Sequence, residues 1–165
     1  MAKLSAEEIQ TTIANLANPR VNFRIDLAST PYVARQIIKS LPGVQDLSEN
    51  GPEVADVLLT LLQDDRTLQD ENFASISLHI LSNYPSERVK LALAKPISER
   101  KFTGFSSQFA AEAFLQSAGV EASNENAITL ALREARKLQV GAAIEKADTQ
   151  PKMGKPSEEN RLEEK

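Results

Sequence analysis

The feature that most constrains the fold of this chain is a series of apolar residues at helical spacing, each following a helix-start signal. Ser5 and Glu8 have the spacing of a capping box, in which each side chain bonds the other residue's backbone N–H. Three apolar residues then repeat along one face of a helix: Ile9, Ile13 and Leu16. The sequence therefore predicts a first helix over residues 5–17.

The same signals predict six further helices. Side chains that can accept from a backbone N–H, or a proline suited to a first turn, precede the apolar stripes. These starts are Thr30-Pro31, Pro52, Asp70, Pro85-Ser86, Ser106 and Ser123. The helix that starts at Ser86 is expected to close before Pro96, and Gly119 is expected to end the helix after Ser106 in a left-handed cap.

Residues 18–29 allow two interpretations. Val21, Phe23, Ile25 and Leu27 alternate with polar residues, which is the pattern of a half-buried strand. Asn18-Pro19 is also a good helix start. A strand needs a partner, and no second convincing strand is found, so a helical or irregular segment is favoured.

Composition supports an all-α protein and excludes several kinds of chemistry. Only 5% of the residues are aromatic, so the core must consist mainly of Leu, Ile, Val and Ala. Cysteine is absent, which excludes disulfides, thiolate metal sites and cysteine nucleophiles. A single histidine excludes a multi-histidine zinc site within one chain. Without an apolar run of bilayer-spanning length, a cytoplasmic protein that does not enter membranes is expected.

The C-terminal segment differs from the rest in composition. Residues 147–165 contain two prolines and many charges, with Met153 and Leu162 as the only large apolar side chains. Such a segment buries too little apolar surface to offset the entropy of ordering. We therefore predict one helical domain over residues 1–146 and a disordered, charged tail over residues 147–165.

A weak repeat runs through the predicted helices. Phe73-Ala74 and Phe109-Ala110 are related by a shift of 36 residues. The alanine-rich segment from Phe109 to Gly119 resembles a helix of HEAT/armadillo-like repeats, including the cyanobacterial phycobilisome-lyase type. This resemblance implies a right-handed stack of antiparallel helix pairs, a HEAT-like α-solenoid, that serves as a protein-binding scaffold. A compact helical bundle is the alternative.

The sequence offers no recognisable catalytic, cofactor or metal site. His79 lies in an apolar window without an orienting carboxylate or a nucleophile in a recognisable pattern, so a structural role is expected. The acidic residues from Asp64 to Glu71 lack the glycine of a calcium loop and are expected to form a turn and a helix cap. Neither a Walker A sequence nor a dinucleotide-binding glycine pattern occurs. We therefore expect a protein that is not an enzyme.

The best candidates for partner binding are basic residues in two segments, residues 88–101 and residues 133–137. In a stack of helix pairs, corresponding helices line one face, so these two groups could form a basic ridge opposite the acidic region from Glu49 to Glu71. The expected partner is another protein with an acidic surface. A nucleic-acid-associated protein that uses the same face is the alternative, disfavoured because no aromatic residues interleave with the basic ones. The oligomeric state is not predicted. The candidate residues are Arg88, Lys95, Arg100, Lys101, Arg133, Arg136 and Lys137.

Overall fold

The computed structural model describes residues 4–50 and 52–149. Within these ranges the chain forms ten α-helices and one 3₁₀-helix, and no strand is present. The prediction of an all-α protein is thereby confirmed.

The helices follow one another with short connections. They are α1 (Ala6–Ala17), α2 (Pro19–Asn22), the 3₁₀-helix (Phe23–Leu27), α3 (Pro31–Ser40), α4 (Val44–Ser48), α5 (Pro52–Leu61), α6 (Asp65–Gln69), α7 (Glu71–Leu81), α8 (Glu87–Ser98), α9 (Phe105–Ala118) and α10 (Ala127–Thr149). The last helix enters the predicted tail by three residues, and residues 150–165 of that tail lie outside the described part of the chain.

Most predicted helix starts are present with the expected hydrogen bonds. At Ser5, both bonds of the capping box form. Thr30, Asp70 and Ser86 each accept from the backbone N–H three residues later, at 3.2 Å in all three cases. These bonds satisfy donors that have no partner within the helix, which fixes where each helix begins.

Residues 18–29 adopt the helical alternative. The Asn18 side chain accepts from the backbone N–H of Arg20 at 2.9 Å and starts α2. The 3₁₀-helix continues from Phe23, and Ile25 alone among its residues is buried. The alternating pattern therefore does not reflect a strand.

Two predicted boundaries are wrong. Helix α8 continues through Pro96 to Ser98, because a proline near the end removes only its own hydrogen bond and the next residue, Ile97, is buried in the core. Helix α10 is capped by Asn126 rather than Ser123: the Asn126 side chain accepts from the backbone N–H groups of Ile128 at 2.9 Å and Thr129 at 3.3 Å.

Helix α7 lies at the centre of the core. Its residues from Phe73 to Leu81 are all buried, so it is enclosed on every side rather than along one stripe. It contacts α9 on one side and α1, α3, α4, α5 and α6 on others. Helices α8, α9 and α10 pack against one another. Phe109 and Phe114 of α9 are fully buried, and the Arg35 guanidinium of α3 lies 4.8 Å from the centre of the Phe109 ring. None of the helices in the described ranges has the length and apolar composition required to cross a membrane.

Candidate functional site

Two of the predicted basic residues form ion pairs with the acidic region. Arg88 on α8 pairs with Asp56 on α5, and the Lys101 Nζ atom lies 3.7 Å from the Asp65 Oδ1 atom. These contacts connect α8 and the chain after it to the N-terminal helices. Arg88 and Lys101 thus face acidic side chains of the N-terminal helices, and their part in a basic ridge stays a prediction.

Four others of the predicted residues meet at two adjoining pockets beside α10. The first pocket has a volume of about 410 Å³ and is bounded by the end of α8, the start of α9 and the start of α10. The second, about 660 Å³, continues along α10. Thr129 and Leu132 line both, so the two adjoin, and we call the combined surface the α10 groove. The described residues that line its second part all belong to α10. Its basic residues are Arg100, Arg133, Arg136 and Lys137.

Among the described residues that line the α10 groove, every charged side chain is basic, although the whole chain has a formal net charge of −4. Two of these basic side chains have glutamate partners beside the groove. The Arg133 Nη2 atom lies 2.9 Å from the Glu125 Oε1 atom, and this hydrogen bond raises the pKa of the guanidinium. The Lys137 Nζ atom lies 3.2 Å from the Glu134 Oε2 atom. Among the described residues, Arg100 and Arg136 have no ion-pair partner, so their charges are available to a ligand.

The floor of the α10 groove is apolar. Val140 is 59% exposed and Ile128 is 38% exposed, while Leu132 is half-buried between them. On the opposite side of α10, Leu130 and Ala135 are buried against α8 and α9. Helix α10 thus presents apolar side chains on two sides, and one of them is not covered by any described element. An exposed apolar surface rimmed by charge is typical of an interaction site.

The backbone at Arg100 has an unusual conformation. Its φ angle is +56°, and Arg100 is the only non-glycine residue in the described ranges with a positive φ. The turn is closed by hydrogen bonds from the Arg100 N–H to the Ile97 carbonyl, 3.0 Å, and from the Lys101 N–H to the Pro96 carbonyl, 2.9 Å. A left-handed backbone conformation costs a residue other than glycine about 1–2 kcal/mol, because its Cβ atom approaches the following carbonyl oxygen. The two hydrogen bonds are those of a Schellman motif, so the conformation of Arg100 is explained by the end of α8.

Lys95 completes the predicted set. It is exposed on α8 and lines neither of the two pockets. No ion pair to Lys95 occurs among the described residues. The structure therefore places it outside the α10 groove.

His79 is a buried residue without an acid–base partner. Burial, together with the positive charges of Arg35 and Lys39, lowers the pKa of His79 to about 4, against a smaller opposing effect of Glu112. Its Nδ1 atom has no hydrogen-bond partner in the described part of the chain. A neutral histidine held in this way fits the structural role that the sequence predicts.

No metal-binding constellation occurs among the described residues, whose His, Asp and Glu side chains form no group of three or more that could hold an ion.

Comparison with protein-family models, curated proteins and solved structures finds no match to this chain. Inference about its function therefore depends on the α10 groove and the charges around it.

Proposed function

We propose that this protein is a non-enzymatic interaction module and that its α10 groove docks an acidic surface of another protein. One observation carries this proposal: the described residues that line the groove combine an apolar floor with four basic side chains and no acidic one, on a chain that is acidic overall. Complementary charge steers association and selects partners, while burial of apolar surface supplies most of the affinity.

We also propose that the C-terminal helices form a HEAT-like, right-handed stack of antiparallel pairs, with a compact bundle as the alternative. In such a stack each helix packs against its neighbour in sequence and against the next but one. Contacts of both kinds occur here: α8 with α9 and α9 with α10, and also α7 with α9 and α8 with α10. In this arrangement α10 is the last described helix of the stack, and its outer face is the surface left for a partner.

Arg100 and Arg136, which have no ion-pair partner among the described residues, allow the proposal to be tested by mutation. A double variant, Arg100→Glu with Arg136→Glu, cancels the positive charge of the described α10 groove lining without breaking an ion pair seen among the described residues. Arg24→Glu is the control for a charge reversal elsewhere, because Arg24 is exposed on the 3₁₀-helix and lines no pocket along α10. Circular dichroism and thermal melting verify that all variants fold.

Affinity capture from the native host, with identification by mass spectrometry, compares the variants. We expect the same set of acidic proteins with the unaltered chain and with Arg24→Glu, and loss of that set with the double variant. Equal capture by all three proteins contradicts docking through the α10 groove.

Nucleic acid is the alternative partner, and the salt dependence of binding distinguishes it from a protein partner. Among the described residues that line the groove, the one aromatic side chain, Phe102, is 7% exposed, so it offers little surface for base stacking. Retention on DNA or heparin that depends on the two arginines and collapses at modest salt would replace the protein partner by nucleic acid. We expect no such retention.

A further inference from the structure

We propose that the α10 groove recognises a short acidic segment of its partner in which one bulky apolar side chain enters the pocket beside Arg100 while carboxylates contact Arg100 and Arg136. This inference rests on the proposed function and specifies the chemistry of the partner. It follows from the different character of the two ends of the groove.

The end beside Arg100 is suited to a single apolar anchor. Its walls include Ile97, Phe102 and Ala111, and its volume of about 410 Å³ lies in the range of about 300–1,000 Å³ that is usual for ligand pockets. The small side chains of Ala111 and Ala131 leave room that a large residue could fill. Arg100 lines the same pocket, so a carboxylate next to the anchor in sequence would meet its guanidinium.

The other end is more open and more basic. Arg133, Arg136 and Lys137 line it, together with the exposed Val140. From Thr129 to Val140 the helix advances roughly 16 Å at 1.5 Å per residue. An extended peptide covers this length with about five residues, so acidic residues on both sides of the anchor can reach both ends.

The length and composition of the groove favour a peptide over other anions. A small carboxylate could occupy the first pocket but would leave Arg136 and Val140 without contacts. A nucleic acid strand would need stacking surfaces, which this lining does not provide. The chain itself contains a segment of the required composition, with Leu162 between the glutamate pairs Glu158-Glu159 and Glu163-Glu164. That segment is a competing occupant, and the experiment must distinguish it from an external partner.

Fluorescence anisotropy with a labelled synthetic peptide tests the inference on the full chain. The probe is a peptide of about ten residues, long enough to span the groove, with one leucine between two pairs of glutamates in a glycine–serine background. One control peptide replaces the leucine by serine, and another replaces the glutamates by lysines. We expect each control to bind at least roughly tenfold more weakly than the probe.

Protein variants locate the binding site. Arg100→Glu and Arg136→Glu are each expected to weaken probe binding by roughly tenfold, with Arg24→Glu as the unaffected charge control. Thr129→Trp, at an exposed position that lines both pockets, is expected to block the groove and to abolish binding without a change in charge. Unchanged affinity in Thr129→Trp, or no measurable binding of the probe, overturns the inference.

Two outcomes separate this inference from the proposed function. If the serine peptide binds as tightly as the leucine peptide while both arginine variants weaken it, the apolar anchor is wrong and docking of an acidic protein stands. If Leu162→Ser in the full chain tightens probe binding by more than roughly tenfold, the groove is filled by the chain's own segment, and the external partner segment is wrong.

Discussion

The helices before and after residue 70 are held together in different ways. Three of the six helices up to Gln69 have only four or five residues, whereas the four from Glu71 onward have 11 to 23. The long helices bury large apolar side chains against one another, with Phe109 and Phe114 at 1% and 0% exposure. Helices of one turn have fewer internal hydrogen bonds and less apolar area: α4 buries Val44 and Leu47, and α6 buries Leu68.

Polar side chains add single contacts at the short helices, beside the few apolar residues that these helices bury, namely Val44, Leu47 and Leu68. The Asn22 side chain donates to the Leu16 carbonyl at 2.8 Å, and the Tyr84 hydroxyl donates to the Leu47 carbonyl and accepts from the Asn50 N–H at 2.9 Å. Each such contact is a single point of attachment, whereas apolar packing is shared among many residues. We therefore expect the C-terminal helices to set the global stability and the N-terminal helices to open more easily, which leaves the α10 groove on the more rigid region.

The largest expected effect comes from the C-terminal core. Phe114→Ala removes a fully buried ring from α9 and should lower the free energy of unfolding by about 3–5 kcal/mol, through lost burial and a residual cavity. Urea denaturation measures the change. A loss below about 1 kcal/mol would show that α9 is not part of a closely packed core.

A smaller effect is expected where α7 and α9 join. Gly104 has a φ of +57°, and a Cβ atom there would overlap the Glu71 carboxylate, which accepts from the Phe105 N–H at 3.0 Å to start α9. Gly104→Ala should cost about 2–3 kcal/mol by combining backbone strain with displacement of that carboxylate.

Gly141→Ala is the matched control for Gly104→Ala. This glycine is helical, and an added Cβ atom meets nothing within 4 Å. The same substitution there should leave stability unchanged or raise it by up to about 1 kcal/mol. Equal losses at Gly104 and Gly141 in thermal unfolding would refute the role of Glu71.

The N-terminal attachment should have a still smaller and more local effect. Tyr84→Phe removes the hydroxyl that bonds Leu47 and Asn50 and should cost about 1–2 kcal/mol. We expect amide hydrogen exchange to accelerate in α4 and to change little in α9. Uniform acceleration over both helices would mean that the two regions open as one unit.

The smallest effect on stability at neutral pH is expected at His79, which lies on α7 between the N-terminal and the C-terminal helices. Its pKa of about 4 is below the ordinary 6.5, so between pH 6.5 and 4 the unfolded chain binds a proton that the folded chain does not. His79 therefore contributes nothing above pH 6.5 and lowers the free energy of unfolding as the pH falls through this window. The stability of the unaltered chain relative to His79→Gln should be constant above pH 6.5 and fall as the pH drops from 6.5 to 4, which thermal unfolding at several pH values measures.

The sequence predicted the fold well where one local signal decides the outcome. Helix starts at Ser5, Thr30, Asp70 and Ser86 were identifiable because each depends on a hydrogen bond within three residues. Pro96 was misleading because burial of Ile97, a tertiary effect, outweighs the local cost of a proline in the last turn. The one-turn helices α4 and α6 were missed since their apolar stripes are too short to recognise.

The candidate site was predictable in its charge and not in its shape. Arg100, Arg133, Arg136 and Lys137 belong to the predicted basic set, but the sequence could not show that Arg88 turns toward Asp56 instead. Nor does any local signal mark a left-handed conformation at an arginine. The apolar floor of the α10 groove could not be predicted, because Ile128 and Leu132 have the helical spacing that is typical of buried residues, although Ile128 is exposed.

The most direct test is nuclear magnetic resonance of the ¹⁵N-labelled full chain titrated with the leucine–glutamate peptide. The proposal predicts shifts in the amide signals of Arg100, Thr129 and Val140, and no shifts at Phe23 and Tyr32, which are exposed apolar residues of the N-terminal region. Shifts confined to Phe23 and Tyr32, or none at saturating peptide, would contradict the assignment of the α10 groove as the docking surface.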